Sequence, residues 1–344
     1  MKECDFYSAG KAGTAECSAC RHYCTIPQGG FGICGARKNI NGKLFLLTHS
    51  KPCSLHLDPI EKKPLFHYLP GSSTMSIGFF GCNFKCSFCQ NYDISTTKGT
   101  ALESAIAPLR EFPPEAFVEA AKKSAAKSIA VTYNEPAISA EYNLEAFRLA
   151  RKEKPGLGTV YVSNGYETKE QIKALSKPAT KLDAINIDLK SFNEKFYFET
   201  CGAELEEVLS CIKAFHKAGT WLELTTLLIP GKNNSPDELK QMASFIRGLG
   251  KDVPWHISSF FPMHEMLQIP PTKKEEVMEA MEIGREAGLE YVYGGNLPDA
   301  DLESTVCPKC GARAIERSFY NIRSINLKKG KCSGCGHKIA GIFS

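Results

Sequence analysis

Alternation between short apolar runs and helical segments dominates the chain from residue 74 to residue 295. Runs rich in β-branched and aromatic residues predict seven strands, at Thr74–Phe79, Ser128–Tyr133, Thr159–Ser163, Ala184–Leu189, Trp221–Leu228, Trp255–Phe260 and Glu290–Tyr293. Segments with apolar residues spaced by three and four predict six helices, at Pro114–Ala126, Ser139–Lys154, Lys169–Ser176, Glu204–Ala218, Ser235–Leu249 and Lys273–Ala287. Such alternation is typical of a parallel sheet covered by helices, either doubly wound or barrel-like.

Three cysteines with the spacing C-x3-C-x2-C follow directly after the first predicted strand, at Cys82, Cys86 and Cys89. A ferredoxin uses a different run, C-x2-C-x2-C-x3-C, and four thiolates hold its cubane cluster. Three thiolates would leave one iron of such a cluster open to a small molecule. The alternatives are buried free thiols or a zinc site, although zinc usually takes a second, separated pair of ligands. Because reactive groups of β/α barrels gather in the loops after the strands, the position of this triad favours a barrel.

The triad, with the aromatic Phe88 directly before its third cysteine, resembles the radical S-adenosylmethionine (radical SAM) enzymes. The resemblance implies a partial (β/α)6 barrel and a [4Fe–4S] cluster held by the three thiolates. It also implies that the open iron binds the methionine half of SAM and that an electron donor supplies one electron. Cleavage of SAM then gives a 5′-deoxyadenosyl radical that abstracts a hydrogen atom. Phe88 is predicted to lie over the adenine, with core packing as the alternative.

Polar residues at three later strand ends resemble SAM contacts. Residues 132–136, Thr-Tyr-Asn-Glu-Pro, resemble the Gly-Gly-Glu-Pro stretch of the family, which implies that Glu135 meets the methionine ammonium. Residues 163–165, Ser-Asn-Gly, and 188–190, Asp-Leu-Lys, resemble the glycyl-radical-enzyme activases, which have Asp in place of the serine. That resemblance implies Asn164 as a cofactor contact, Asp188 as an acceptor for ribose hydroxyls and Lys190 as the partner of the SAM carboxylate. Taken alone, these residues are more typical of helix starts, turns or solvated charges.

Two C-x2-C pairs near the end of the sequence have the spacing of a tetrahedral zinc site. Their members are Cys307, Cys310, Cys332 and Cys335. The segment is too small to form a core of its own, so we expect the metal to fold it, with an apparent contribution of ~10–16 kcal/mol. A site with four cysteines is closed and structural, and it is predicted to have no catalytic role.

Four further cysteines lie close together near the start, at Cys17, Cys20, Cys24 and Cys34. They predict a second metal group, and zinc and a second iron–sulfur cluster are both open. Cys53 is either a fifth ligand or a lone thiol that faces the barrel. The remaining cysteines, Cys4, Cys201 and Cys211, are interpreted as isolated small hydrophobic residues.

Residues 58–65, Asp-Pro-Ile-Glu-Lys-Lys-Pro-Leu, resemble the AmmeMemoRadiSam system radical SAM enzymes, which are relatives of pyruvate formate-lyase activating enzyme. That family is named for its co-occurrence with two other proteins, which are therefore candidate partners. The sequence predicts a radical SAM enzyme that acts on an unidentified protein or small molecule, and it identifies no catalytic residue. The alternatives are a glycyl-radical-enzyme activase and a non-catalytic, metal-rich protein that binds nucleic acid.

Composition limits the other possibilities. A net charge of +4 is too mild to predict nucleic-acid binding on its own. The charged start has no apolar signal region, and no apolar run approaches the ~20 residues of a membrane span. Fifteen cysteines then indicate metal sites in a reducing compartment, and we expect an oxygen-poor cytoplasm. The predicted organisation is a cysteine-rich segment at 1–73, a barrel at 74–300 and a zinc-ribbon-like module at 301–344.

Overall fold

The computed structural model describes residues 1–154, 156–297, 299 and 301–344. The first part of the chain forms six short strands, β1 (Lys2–Glu3), β2 (Tyr7–Ala9), β3 (Ala15–Cys17), β4 (Thr25–Ile26), β5 (Arg37–Ile40) and β6 (Lys43–Leu46). They make two antiparallel sheets of three strands, in the orders β2-β3-β4 and β1-β6-β5. Leu44, Leu46 and Ile26 form a small core between the sheets together with Cys17 and Cys34.

A sheet of eight strands follows, formed by β7 (Ser54–Pro59), β8 (Ser73–Gly78), β9 (Ser128–Val131), β10 (Gly158–Ser163), β11 (Ala184–Asp188), β12 (Trp221–Leu228), β13 (Trp255–Ser259) and β14 (Val292–Gly295). Strands β8 to β14 are parallel and stand in sequence order, while β7 pairs antiparallel with β8. Right-handed crossovers in a strictly sequential order put every helix on the same face, which is the arrangement of a barrel and not of a doubly wound sheet. Within the described residues no pairing joins β7 to β14, so this is a partial barrel.

Nine α-helices lie in the described part of the chain: α1 (Tyr92–Ser95), α2 (Gly99–Ile106), α3 (Pro114–Lys123), α4 (Ala140–Lys152), α5 (Lys169–Leu175), α6 (Glu194–Phe196), α7 (Leu205–Lys217), α8 (Pro236–Leu249) and α9 (Lys274–Glu286). The seven strands and six helices predicted from periodicity are all present, with ends that differ by a few residues. Alternate strand residues face opposite sides, so Ile129 and Val131 pack in the helix-side core while Ala130 faces the lumen. A bilayer crossing would need a longer and more apolar helix than any formed by the described residues.

Residues 60–69, which we call the floor segment, fill one end of the barrel lumen. Ile60, Leu65 and Tyr68 pack against the small lumen residues of three strands, Ala130, Val160 and Ala184. The carboxylate of Glu223 on β12 accepts hydrogen bonds from the backbone N–H groups of residues 66 and 67, at 3.0 and 2.8 Å. This segment therefore closes the lumen near the starts of the strands and leaves the opposite end open.

The last strands are β15 (Thr305–Val306), β16 (Arg313–Ser318), β17 (Asn321–Ile325), β18 (Leu327–Lys328) and β19 (Lys331–Cys332). They form a three-stranded and a two-stranded antiparallel sheet that are attached to the floor segment. Ile342 exchanges backbone hydrogen bonds with His67 and Leu69, at 2.8 and 2.7 Å. The fully buried Arg317 donates to the carbonyl oxygen of Phe66 at 2.6 Å.

Of the predicted domain boundaries, the one at residue 300 lies outside the described residues. Strand β7 adds to the central sheet a piece of the segment predicted at 1–73.

Candidate active site

A cavity of about 470 Å³ opens at the ends of the parallel strands, and residues of the floor segment line its inner end. Seven of the residues that the sequence predicted as cluster or cofactor contacts line this cavity: Cys82, Cys86, Cys89, Phe88, Asn164, Asp188 and Lys190. They come from the loop after β8 and from the ends of β10 and β11. The topology therefore gathers groups that are far apart in sequence at one edge of the sheet.

Backbone and side-chain hydrogen bonds fix the loop that carries the triad. The N–H groups of Lys85 and Ser87 donate to the carbonyl oxygens of Cys201 and Thr200, at 2.8 and 3.1 Å. The side-chain amide of Asn134 donates to the carbonyl oxygens of residues 79 and 81. Gly81 has a φ of +93°, and a Cβ there would lie 2.4 Å from the carbonyl oxygen of residue 34. Glycine is therefore required where the loop passes the N-terminal segment.

The three thiols fit a cubane cluster. They line one cavity, and each could bind a different iron, so they need not be gathered as tightly as the ligands of a single ion. Burial lowers the pKa of Lys190, but Asp188 and the thiols of Cys86 and Cys201 raise it overall well above its usual range. A permanent cation beside thiolates would offset part of the negative charge of a bound cluster.

Asp188 and Lys190 contact each other at the cavity wall. The Lys190 Nζ lies 2.7 Å from Asp188 Oδ2 and 5.7 Å from the centre of the Phe88 ring. Phe88 is buried and lies between two triad cysteines in the lining. The ring, the ammonium and the carboxylate together offer a stacking face, a cation and an acceptor on one wall.

Asn164 presents an unused acceptor to the cavity. Its Nδ2 donates to Asn83 Oδ1 at 2.8 Å, while its Oδ1 is buried and finds no hydrogen-bond partner among the residues described. The Asn83 Nδ2 is likewise buried and without a partner there. A buried polar atom without a partner is costly, so Asn164, which lines the cavity, is suited to a ligand that brings a donor. These side chains therefore fit the implied cofactor.

Glu135, the eighth predicted contact, does not line the cavity. Its fully buried carboxylate accepts from the N–H groups of Ala137 and Asn164, at 2.9 and 2.7 Å, and from the Ser163 hydroxyl at 3.0 Å. The geometry favours a positioning role toward Asn164 over the predicted contact with the methionine ammonium. The Ser163 hydroxyl also lies 2.8 Å from Glu167 Oε1, so a second carboxylate lies beside the serine. Burial raises the pKa of both glutamates.

Sequence reasoning missed a buried cluster formed by Tyr133, Asp58 and Lys63. The Tyr133 hydroxyl and the Lys63 ammonium both lie 2.7 Å from Asp58 Oδ2, and Lys63 lies 4.6 Å from the centre of the tyrosine ring. Tyr133 has a φ of 75°, so it holds the left-handed conformation that glycine adopts most readily. Burial lowers the pKa of Lys63 to about 8. Asp58 and Tyr133 both lie in stretches that resemble the family, but no local sequence pattern predicts that the two side chains contact each other.

The C-terminal cysteines converge as the ligands of a single ion would. Cys307 and Cys335 have sulfurs 3.7 Å apart, those of Cys310 and Cys332 are 3.8 Å apart, and all four lie within 4.8 Å. Zinc–sulfur bonds of about 2.3 Å in a tetrahedron would place the sulfurs about 3.8 Å apart. The four thiols therefore fit a tetrahedral ion such as zinc.

The N-terminal cysteines are neighbours but are less tightly gathered. Among the described residues they do not form a single-ion group, whereas the C-terminal four do. Burial raises the pKa of Cys20, and the thiols of Cys34, Cys17 and Cys24 raise it further. Cys53 is half-buried and donates to the carbonyl oxygen of residue 78 at 3.5 Å, apart from both groups.

Cys201 and Cys211 are fully buried in the helix-side core, where small hydrophobic residues would lie. The Cys211 thiol also donates to Glu167 at 3.3 Å, and Cys201 together with burial raises the pKa of Cys86. These contacts join segments that follow different strands, which explains why spacing along the sequence could not reveal them.

Comparison with known proteins identifies the family to which the chain belongs. The family model described as the Radical SAM superfamily matches residues 76–246. The chain belongs to this superfamily. Membership implies a [4Fe–4S] cluster and SAM, and the side chains of the cavity fit both. The matched residues begin inside β8 and contain the triad and the strand-end residues up to Lys190.

Relatives cover most of this radical SAM chain. The uncharacterized protein MJ0808 of Methanocaldococcus jannaschii is 40% identical over 342 residues, which is 98% of this chain and 99% of that protein. A second protein of that organism, named "Putative glycyl-radical enzyme activating enzyme MJ1632", is 24% identical over 64% of this chain and 80% of its own length. The structure of a radical SAM methyltransferase from Sphaerobacter thermophilus superposes with a TM-score of 0.50 at 16% identity, over 66% of this chain and 67% of that one. This last likeness concerns the fold.

Proposed function

We propose that the protein cleaves SAM reductively in the strand-end cavity and uses the resulting radical to abstract a hydrogen atom from a substrate. A cluster held by Cys82, Cys86 and Cys89, together with SAM, would supply the 5′-deoxyadenosyl radical. The observation that carries the proposal is the convergence of seven predicted contacts on one cavity in a chain of this superfamily. An external one-electron donor is required.

The chain's own side chains would orient SAM and exclude water. Asn164 Oδ1 is free to accept a hydrogen bond, and Glu135 fixes that residue from below through its backbone N–H. Lys190 would bind the SAM carboxylate, and Asp188 would accept from ribose hydroxyls. Phe88 would lie against the adenine. The floor segment closes the lumen, so the radical would be shielded from solvent on that side.

Reductive cleavage tests this function. We expect anaerobically reconstituted enzyme with dithionite to release 5′-deoxyadenosine, and Cys89→Ala to release at least 100-fold less. Cys53→Ala is the matched control, because that thiol lies outside the cavity lining. Wild-type enzyme with a full cluster that leaves SAM intact, with and without candidate partner proteins, would refute the proposal.

An activase is the second candidate, favoured by the similarity to the protein named as a glycyl-radical enzyme activating enzyme. In this version the hydrogen atom comes from a glycine of a partner protein. The co-occurring proteins of the resembled family are the first partners to test. Appearance of a glycyl radical in electron paramagnetic resonance (EPR) spectra of a mixture with the partner would support it. SAM cleavage without a protein radical would favour a small-molecule substrate. The remaining alternative, a non-catalytic nucleic-acid-binding protein, has less support because the chain belongs to the radical SAM superfamily.

We further propose that Cys307, Cys310, Cys332 and Cys335 hold one structural zinc ion, supported by their spacing in the fold. For Cys17, Cys20, Cys24 and Cys34 we propose a second metal group, either zinc or an iron–sulfur cluster. Metal analysis of the protein and of variants in each group would separate these cases. One zinc lost in a Cys335→Ser variant supports the first site. Four irons lost in a Cys20→Ser variant would indicate a second cluster.

A further inference from the structure

The cavity extends beyond the triad to an end that the predicted cofactor contacts do not occupy. This end is lined by Glu61 and Phe66 of the floor segment and by Glu303 and Tyr320, which lie beside and within the C-terminal sheet. Tyr320 is partly exposed and the two glutamates are buried. Within the same cavity, this is therefore a candidate place for a substrate group.

Both glutamates keep an oxygen free. Glu61 is 1% exposed and Glu303 is 5% exposed, and the Oε2 atom of each finds no hydrogen-bond partner among the described residues. Glu61 Oε1 accepts from the N–H of Gly71 at 2.8 Å, which anchors this side chain to the backbone. Each glutamate still has an acceptor to offer through its Oε2 atom.

The nearby cations of the described chain do not balance both carboxylates. Arg317 forms one ion pair, with its Nε 3.9 Å from Glu61 Oε1, and donates to the carbonyl oxygens of Phe66 and Glu303. Lys62 and Lys63 both line the cavity, but each donates to Asp58, at 3.0 and 2.7 Å. Among the described residues one guanidinium therefore serves two buried carboxylates, and neither Oε2 atom accepts a hydrogen bond. A buried carboxylate is stable only when it is paired, which points to a partner from outside.

We propose that Glu61 and Glu303 bind a positively charged nitrogen group of the substrate, an ammonium or a guanidinium, at this end of the cavity. The proposal rests on the proposed function, because it assigns the class of substrate that the radical would meet. Tyr320 lines the same end of the cavity and adds an aromatic ring, a group that attracts cations. Hydrogen bonds to charged groups are the strongest that a side chain makes, so these two residues would decide which substrates are retained.

The test uses the full, cluster-loaded chain with saturating SAM, unreduced and without oxygen. The probes are n-butylammonium and its neutral analogue n-butanol, and their dissociation constants are measured by ligand-observed NMR. We expect the ammonium to bind at least tenfold more tightly than the alcohol. Glu303→Gln and, as a second variant, Glu61→Gln should each weaken ammonium binding at least tenfold. Glu282→Gln, which changes an exposed carboxylate on α9, is the control and should leave it unchanged.

Equal binding of the two probes, or unchanged ammonium binding in both variants, would overturn this inference. Displacement of the ammonium by SAM in the wild type would also overturn it, because the glutamates would then belong to the cofactor site. The function itself is measured separately, as 5′-deoxyadenosine from the wild type. If the wild type cleaves SAM but binds both probes equally, only the proposed substrate class is refuted. If it prefers the ammonium but does not cleave SAM, only the proposed radical chemistry is refuted.

Discussion

At the scale of single residues, the two side chains that differ from the family motif each make a hydrogen bond to another segment. Tyr133 and Asn134 replace the two glycines of the Gly-Gly-Glu-Pro stretch. The Asn134 side chain donates a hydrogen bond to the backbone at the start of the triad loop, and the Tyr133 hydroxyl donates one to the Asp58 carboxylate. Each larger side chain therefore adds a contact between the cofactor-binding edge and another segment, which glycine could not make.

Removal of the Tyr133 hydroxyl should lower the stability of the folded protein. We expect Tyr133→Phe to lower the free energy of unfolding by about 1 kcal/mol, the usual contribution of one hydrogen bond, with more if Asp58 is left short of a partner. Denaturant unfolding followed by circular dichroism measures this change. The exposed Tyr23 provides the control variant, Tyr23→Phe. Equal stability of both variants would show that the contact is not formed.

Lys190 should act on SAM binding. Lys190→Met keeps much of the buried stem and removes the cation, so we expect the dissociation constant for SAM to rise about tenfold or more, as for a lost charge-assisted hydrogen bond. Equilibrium dialysis with labelled SAM and cluster-loaded enzyme measures it, with the exposed Lys232→Met as control. Unchanged affinity would remove Lys190 from the cofactor site.

At the scale of elements, the floor segment links the barrel to the C-terminal sheets through a buried histidine. His67 bonds to the Tyr293 hydroxyl and to the carbonyl oxygen of Ala340, both at 2.6 Å. Burial lowers the pKa of His67 to about 4. The folded protein therefore keeps this ring neutral under conditions in which the unfolded chain would bind a proton.

This difference gives a pH dependence with a defined sign. As pH falls from about 6.5 toward 4, the unfolded chain gains a proton at His67 that the folded chain refuses, so stability is lost in that window. We expect His67→Gln to reduce the slope of unfolding free energy against pH there by up to about 1.4 kcal/mol per unit. The exposed His216→Gln should leave the slope as in the wild type. A wild-type slope in His67→Gln would contradict the buried, neutral ring.

The same elements show what the sequence could predict. Strands such as Trp221–Leu228 are rich in apolar and β-branched residues, and the triad lies within eight consecutive residues, so local patterns revealed both. Strand β7 is a mostly exposed edge strand that ends in proline, and it has no apolar run to mark it. The bonds of Glu223 to the floor segment join residues more than 150 positions apart. The free oxygens of Glu61 and Glu303 depend on such long-range packing, which periodicity cannot report.

At the scale of the whole molecule, the C-terminal sheets are part of the cavity's construction. Arg317 is buried against the floor, and Tyr320 and Glu303 line the cavity. A metal that folds this module would therefore also support the barrel. The sequence predicted a separate zinc-ribbon-like module at 301–344, and the contacts with Phe66 and His67 attach this module to the floor segment.

Loss of one C-terminal thiolate should lower the stability of the whole protein. We expect Cys335→Ser to lose one zinc per chain and to lower the melting temperature by several degrees, since structural zinc supplies folding free energy. Zinc content and differential scanning fluorimetry measure the two effects, with Cys53→Ser as the matched control. A variant that loses its zinc and keeps its melting temperature would show that the module is energetically independent.

The central claim is that the triad holds a cluster whose open iron binds SAM within the strand-end cavity. EPR spectroscopy of the reduced enzyme, before and after addition of SAM, tests it most directly. We expect a [4Fe–4S]⁺ signal that changes when SAM is added. This SAM-sensitive signal should be absent in Cys86→Ala and retained in Cys53→Ala. A triad-dependent signal that SAM leaves unchanged would contradict the account, because the open iron would then have no part in binding the cofactor.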